Sequence, residues 1–178
     1  MIEGRVISQN VTQAFDFYGE IDNLGEYKNL IDELHNAADG DVIILNINSP
    51  GGRCDIGFMI VKSILQTKAT VIAHVVYPSA SMASVIACTC DALVMDPHSY
   101  LMFHTYSGGA YGKGDELMQD VFETKRSLEG QFTACIGKFL TKKEIEKMLE
   151  GKDIYIRADD ANLADRCKRH FKCQSMLA

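Results

Sequence analysis

Two short runs constrain this chain more than any other feature of its 178 residues: Asp41 to Ile47 (DVIILNI) and Ala69 to Val76 (ATVIAHVV). Both are dense in β-branched residues, the pattern of a buried strand in a parallel sheet. Each run ends in turn residues, Asn48 to Gly52 and Tyr77 to Ser79, and a helical segment follows each turn. Asp55 to Lys68 carries an apolar stripe at Ile56, Met59, Ile60, Ile64 and Leu65, whereas Ala80 to Thr89 is a small-residue stretch suited to tight helix packing. Upstream, the alternation in Ala14 to Ile21 predicts a strand, and Leu24 to Ala38 an amphipathic helix ending at Gly40. Downstream, Asp91 to Asp96 and Ser99 to His104 predict two short strands about Pro97. Four glycines in the seven residues from Gly108 to Gly114 then make a flexible or closely approached segment, before a long helix from Asp115 to Gly130 or beyond. Thr141-Lys142-Lys143-Glu144 reads as a capping box for a last helix, which stops at Gly151. Strand, helix and strand in alternation specify an α/β fold with right-handed crossovers. No low-complexity linker divides the chain, so one domain over 1–178 is expected.

Charge removes several classes of function. Eighteen Lys and Arg against 24 Asp and Glu give a net charge of −6 and an acidic pI near 5.3. A nucleic-acid-binding surface needs the opposite balance, so no nucleic-acid partner is expected. The apolar runs are too short to span a bilayer, and Met1 to Arg5 lacks the pattern of a secretory signal, which predicts a cytoplasmic protein with no membrane partner. Six cysteines (Cys54, Cys88, Cys90, Cys135, Cys167, Cys173) include no C-x-x-C pair, so free thiols are expected, with no metal and no cofactor.

The candidate chemistry lies where the two parallel strands end, because open α/β sheets bind ligands at the carboxyl ends of their strands. Gly51 and Gly52 bring backbone N–H groups close to a bound group with no Cβ in the way. Ser81 sits at the start of a helix, where the dipole and free N–H groups favour developing negative charge. A serine hydroxyl beside orientable backbone donors suits acyl transfer. It needs a base, and His104, at the end of the run SYLMFH, is the best neutral-pH candidate. Asp153, just after Gly151, is the carboxylate candidate to set its tautomer. Taken singly, each residue also has an ordinary structural reading: small serine segments pack helices, and a histidine ending a strand often serves the fold.

Taken together, the strings Asn48-Ser49-Pro50-Gly51-Gly52 and Ala80-Ser81-Met82 resemble the signature of the Clp protease proteolytic subunit (ClpP) family within the crotonase-like superfamily. The resemblance continues through SYLMFH to His104, Gly108-Gly109, and Lys152-Asp153 with Ile154-Tyr155 and Arg157 to Ala161, covering roughly Phe17 to Ala164. It implies a crotonase/ClpP-like fold of repeated β/α units with a protruding helix–strand handle over about 108–139. It further implies Ser81 as nucleophile, His104 as general base and Asp153 as its orienting carboxylate. The N–H groups of Gly52 and Met82 would form the oxyanion hole. An extended peptide would lie between Gly51-Gly52-Arg53-Cys54 and Gly109-Ala110-Tyr111, by strand addition. The implied activity is a serine endopeptidase acting on polypeptides, within a homo-oligomer of seven-membered rings, single or stacked in pairs, served in the family by an AAA+ unfoldase.

The sequence also departs from that family. Pro78-Ser79 is unusual near Tyr77, Ala83-Ser84 replaces a Gly-Ala step, and Thr105-Tyr106 replaces Gln-Pro after the histidine. Lys152 stands where an arginine commonly couples ring stacking to the site, without its bidentate fork. The tail from Arg166 to Ala178 departs altogether, its Lys168, Arg169, His170 and Lys172 reading as a solvated cluster. The short N-terminal arm (1–13) lacks the family's axial-loop string, which points to a divergent, phage-type member that need not use the host unfoldase, with capsid maturation as one setting. The rival readings are a crotonase-type acyl-CoA hydratase or thioesterase, and a non-catalytic ring-assembly protein.

Overall fold

The computed structural model describes residues 10–171 of the chain. Its frame is a four-stranded, all-parallel sheet in the order β1-β2-β3-β5, formed by β1 (Thr12–Tyr18), β2 (Val42–Asn48), β3 (Thr70–Val75) and β5 (Ala92–Met95). A second sheet has the order β4-β6-β7, with the two-residue β4 (Ser79–Ala80) parallel to β6 (Tyr100–Phe103) and β7 (Ile154–Arg157) antiparallel to β6. The two strands expected about Pro97 are both present, but they belong to different sheets.

Burial alternates along β1 and β2. Phe17 of β1, Ile43, Leu45 and Ile47 of β2, Val71, Ala73 and Val75 of β3 and Leu93 of β5 belong to one apolar cluster. Into the same cluster α1 (Lys28–Asn36) contributes Leu30 and Leu34, and α2 (Cys54–Gln66) contributes Ile56, Ile60 and Ile64. Seven of the eight residues of α3 (Met82–Thr89) are buried, as its small-residue composition requires. The opposite sheet face is only partly covered, so the burial expected for β2 is one-sided in the single chain, whereas β3 buries Ile72 on that face as well as Val71 and Ala73 on the other. Along that face Asp16, Asn46, His74 and Asp96 form a hydrogen-bonded row: Asn46 Nδ2 donates to Asp16 Oδ1 at 2.9 Å, His74 Nδ1 lies 3.2 Å from Asn46 Oδ1, and His74 Nε2 lies 2.9 Å from Asp96 Oδ1.

The first strand begins at Thr12 and stops at Tyr18, because Gly19 turns at φ 81°. Thr12 and Gln13, assigned above to an arm, are therefore sheet residues, and Val11 already donates to Asp41 Oδ1. The rest of that arm, residues 1–9, lies outside the described residues, as does Cys173. The other five cysteines are free thiols. The helix expected from Leu24 opens as a 3-10 turn, Leu24–Tyr27, whose cap Asn23 accepts from the Gly25 N–H.

The long helix α4 runs Gly114–Ile136, and of its residues only Phe132 and Ile136 are buried. The glycine-rich segment before it pairs with no strand in the single chain, so the strand half of the handle is not formed. The capping box of α5 (Lys142–Leu149) is formed in both directions: Glu144 N–H donates to Thr141 Oγ1 and Thr141 N–H to Glu144 Oε2.

Of the tail cations read as solvated, Lys168 and Arg169 are exposed and His170 is half-buried, while Lys172 lies outside the described residues. Residues Leu163–His170 form α6, and Arg166 is buried. Its Nη1 and Nη2 donate to the two carboxylate oxygens of Glu144 at 2.9 and 2.8 Å, and Asp160 lies 3.5 Å from its Nε. A buried guanidinium requires such partners, and they bind α6 to the start of α5. His170 is likewise half-buried, its Nε2 at 2.5 Å from the Cys88 carbonyl, and burial lowers its pKa. The cationic string is thus partly a packing surface. Neither β7 nor α6 was read from the sequence, since four residues of strand and eight of helix leave little periodicity.

Candidate active site

Ser81 is held in an unusual backbone conformation, φ 56° and ψ −127°, at the junction between β4 and α3. For a residue with a Cβ this costs about 1–3 kcal/mol and persists only where the surroundings enforce it. Ser81 N–H donates to the Met102 carbonyl of β6 at 2.8 Å, and Ala80 N–H to the Ser49 carbonyl at 2.9 Å. On the helical side, the Ser81 carbonyl accepts from Ser84 and Val85 N–H. Ser81 is therefore the N-cap of α3, yet its side chain makes no cap hydrogen bond. The hydroxyl stays uncommitted at the positive end of the helix.

The glycine turn presses against this junction. Gly51 has φ 92°, and a Cβ there would fall 2.6 Å from the Ala80 carbonyl oxygen, 2.7 Å from Ser81 Cβ and 2.9 Å from Met82 N. Ile21 N–H donates to the Gly51 carbonyl and Arg53 N–H to the Ile21 carbonyl, which makes a parallel bridge between Ile21 and Gly52. In such a bridge the flanking residues face the partner, so the N–H of Gly52 points to the other side. Met82 occupies the first position of α3, where the backbone N–H has no intrahelical acceptor. Its side chain is fully buried and packs over Gly57.

His104 immediately follows β6. The β6–β7 register pairs Tyr100 with Arg157 and Phe103 with Ile154, so one step further places Asp153 across from His104. The chain reaches Asp153 through a Schellman ending of α5, in which Gly151 sits at φ 90°, Lys152 N–H donates to the Lys147 carbonyl and Gly151 N–H to the Met148 carbonyl.

A cleft of about 790 Å³ opens over these elements, lined by Gly51, Gly52, Arg53, Cys54, Ser81, Met102, His104, Gly109 and Ala110. A side pocket of about 50 Å³ continues from it, between Ser81, His104, Val85, Phe103, Phe132, Ile136 and Met148. Ser81 and His104 thus share both spaces, whereas Asp153 lines neither, and none of the side-chain hydrogen bonds among the described residues links the three. Tyr111 is fully exposed and outside the cleft lining. The Arg53 guanidinium is engaged by Asp55, Nε to Oδ1 at 3.1 Å and Nη2 to Oδ2 at 2.6 Å, and it holds the Asp55 carboxyl below its ordinary range. Burial raises the pKa of the Cys54 thiol, which keeps it protonated.

Sequence reasoning missed one wall of the cleft, made by Asp120, Val121, Thr124 and Leu128 of α4. Their spacing places them on one helical face, a signal that also describes an ordinary core stripe. Among the described residues no helix is long and apolar enough to cross a membrane, and no cluster of three His, Cys, Asp or Glu could hold a metal ion.

Comparison with known proteins follows the same lines. The chain is 31% identical over 130 residues to the ATP-dependent Clp protease proteolytic subunit 1 of Chlamydia caviae, a match covering 68% of this chain and 66% of that protein. It is equally similar to the subunit of that name from Chlamydia abortus, again 31% over 130 residues with 68% and 66% coverage. It is 30% identical over 129 residues to the ATP-dependent Clp protease proteolytic subunit of Chlorella vulgaris, covering 64% of each chain. The chain therefore spans about two thirds of the length of these relatives. The family pattern described as Clp protease matches residues 17–163, from β1 to the first residue of α6 and through every element that builds the cleft. By that match this chain belongs to the Clp protease family.

Proposed function

We propose that this chain is a serine endopeptidase, with Ser81 as nucleophile, His104 as general base and Asp153 as the carboxylate that orients it. The observation that carries the reading is Ser81 itself: a strained N-cap serine whose hydroxyl is uncommitted, opening on a cleft it shares with His104 and the glycine turn. Ser81 Oγ attacks the peptide carbonyl while His104 takes its proton, and the N–H groups of Gly52 and Met82 hold the oxyanion. His104 then protonates the leaving amine, and water hydrolyses the acyl-enzyme by the same route. The one-step extension of the β6–β7 register supports Asp153 in its role. The peptide lies extended beside Gly51 to Cys54 and Gly109-Ala110, and its side chain at the cleaved bond enters the apolar side pocket. At about 50 Å³ that pocket accommodates roughly three to five heavy atoms, which favours aliphatic over aromatic side chains.

The relatives are named as ATP-dependent subunits, and for this chain we propose a cytoplasmic ring assembly, seven-membered, single or stacked, with an AAA+ unfoldase as a candidate partner. A fluorophosphonate probe should label the chain at Ser81, with Ser81→Ala and His104→Ala losing on the order of 10⁴-fold in rate. Particle mass measured alongside tests the ring. An acyl-CoA thermal shift without labelling would favour a crotonase-type enzyme instead. Degradation of a folded tagged substrate with a Clp unfoldase and ATP, compared with the chain alone, tests whether an unfoldase serves it.

A further inference from the structure

An N-cap serine normally spends its hydroxyl on the N–H groups of the first helical turn. Ser81 does not, and α3 therefore starts at a strained residue without the usual side-chain anchor. Three residues on, Ser84 is fully buried, and its Oγ donates to the Ser79 carbonyl at 3.0 Å. Its backbone N–H donates to the Ser81 carbonyl, also at 3.0 Å. Ser84 thus grips the chain twice, at residue 79 before Ser81 and at the carbonyl of Ser81 itself. The β-strand side of the junction is held independently, by the Ser49 and Met102 carbonyls.

We propose that Ser84 is a positioning residue for the nucleophile. Its hydroxyl replaces the anchor that Ser81 withholds, and so fixes the first turn of α3, including the Met82 N–H, relative to β4. The proposal rests on the serine-peptidase reading above. The physical logic is that a 3.0 Å bond at a fully buried site is directional, and that small displacements of an attacking atom are costly in rate. An alanine at position 84 keeps the helix and the packing but leaves the Ser79 carbonyl without this donor.

The test compares acylation by a fluorophosphonate, kcat and KM on an unstructured peptide, and Tm for the full chain, Ser84→Ala, Ser84→Cys and Ile86→Val. Cysteine fills the serine's space with a much weaker donor, so it repeats the test should alanine fold poorly. Ile86 is buried on the same helix but lines neither the cleft nor the side pocket, so its variant reports lost packing alone. The expected result is a roughly tenfold slower acylation and lower kcat for both Ser84 variants, about 1.4 kcal/mol, with KM unchanged and Ile86→Val at the rate of the unmodified chain. Equal acylation rates in Ser84→Ala and the unmodified chain overturn the positioning role while leaving the peptidase reading intact. A rate loss in Ile86→Val as large as in the Ser84 variants also overturns it, as an effect of stability. If the unmodified chain takes no label, the peptidase reading fails and the positioning role falls with it.

Discussion

Replacing Gly51 by alanine tests whether the glycine turn and Ser81 are one mechanical unit. The backbone there has φ 92°, where an L-residue is disfavoured by about 1–2 kcal/mol. The new Cβ would also meet the Ala80 oxygen, Ser81 Cβ and Met82 N at 2.6–2.9 Å, all below contact distance. None is the far end of a flexible side chain, so the turn must move, and overpacking of this kind costs about 1–3 kcal/mol. The sum, about 2–5 kcal/mol, lowers Tm by roughly 5–15 °C for a domain of this size. Because the atoms displaced include Ser81 Cβ and the Met82 N–H, a shift approaching 1 Å should, on the proposed role of Ser81, also cost about 100-fold in acylation rate. Differential scanning calorimetry and fluorophosphonate labelling read the two effects separately. Gly112→Ala is the control, since its Cβ would meet nothing within 4 Å and its φ is ordinary. Gly51→Ala with the Tm and labelling rate of the unmodified chain would show that the turn does not bear on Ser81, and would refute the reasoning.

Three further outcomes follow from particular groups. The Arg166 guanidinium holds the Glu144 carboxyl at about 2, against an ordinary value of 4.5. The carboxylate's contribution is therefore complete above about 4.5 and is lost as pH falls from there towards 2; after discounting for solvent screening it is about 1–2 kcal/mol. Urea midpoints measured across that window should decline, and Arg166→Met should flatten the decline. Cys88 and Cys90 are buried and their thiol pKa values are raised, so iodoacetamide followed by peptide mass mapping at pH 8 should modify them only in the unfolded chain. Val85→Phe should obstruct the side pocket beside Ser81, slowing peptide cleavage more than labelling by a small fluorophosphonate; equal slowing of both would argue against the pocket as the seat of the substrate side chain.

What the amino-acid order determined by itself was whatever depends on near neighbours. The β-branched runs of β2 and β3, the capping box at Thr141 and Glu144, and the small-residue helix after Ser81 are all local patterns, and each is present where its period or its caps require. Gly51, Gly52, Ser81 and His104 were legible because turns and strand ends are set by local backbone preferences, and open α/β sheets gather their strand ends at one edge. Tertiary structure decided the rest. That β7, and with it the segment beginning at Asp153, lies beside the end of β6 follows from the antiparallel register of β6 and β7, which no window of residues about either one contains. Arg166 looks like one more tail cation until α6 packs it against Glu144, some twenty residues away. The α4 wall of the cleft, Asp120, Val121, Thr124 and Leu128, mixes polar and apolar residues on one helical face, and periodicity says that a face will be covered but not by what. The strain at Ser81 and the hydroxyl bridge from Ser84 across it belong to the packed state alone: an extended chain has no reason to hold φ 56°, and the surrounding carbonyls supply it.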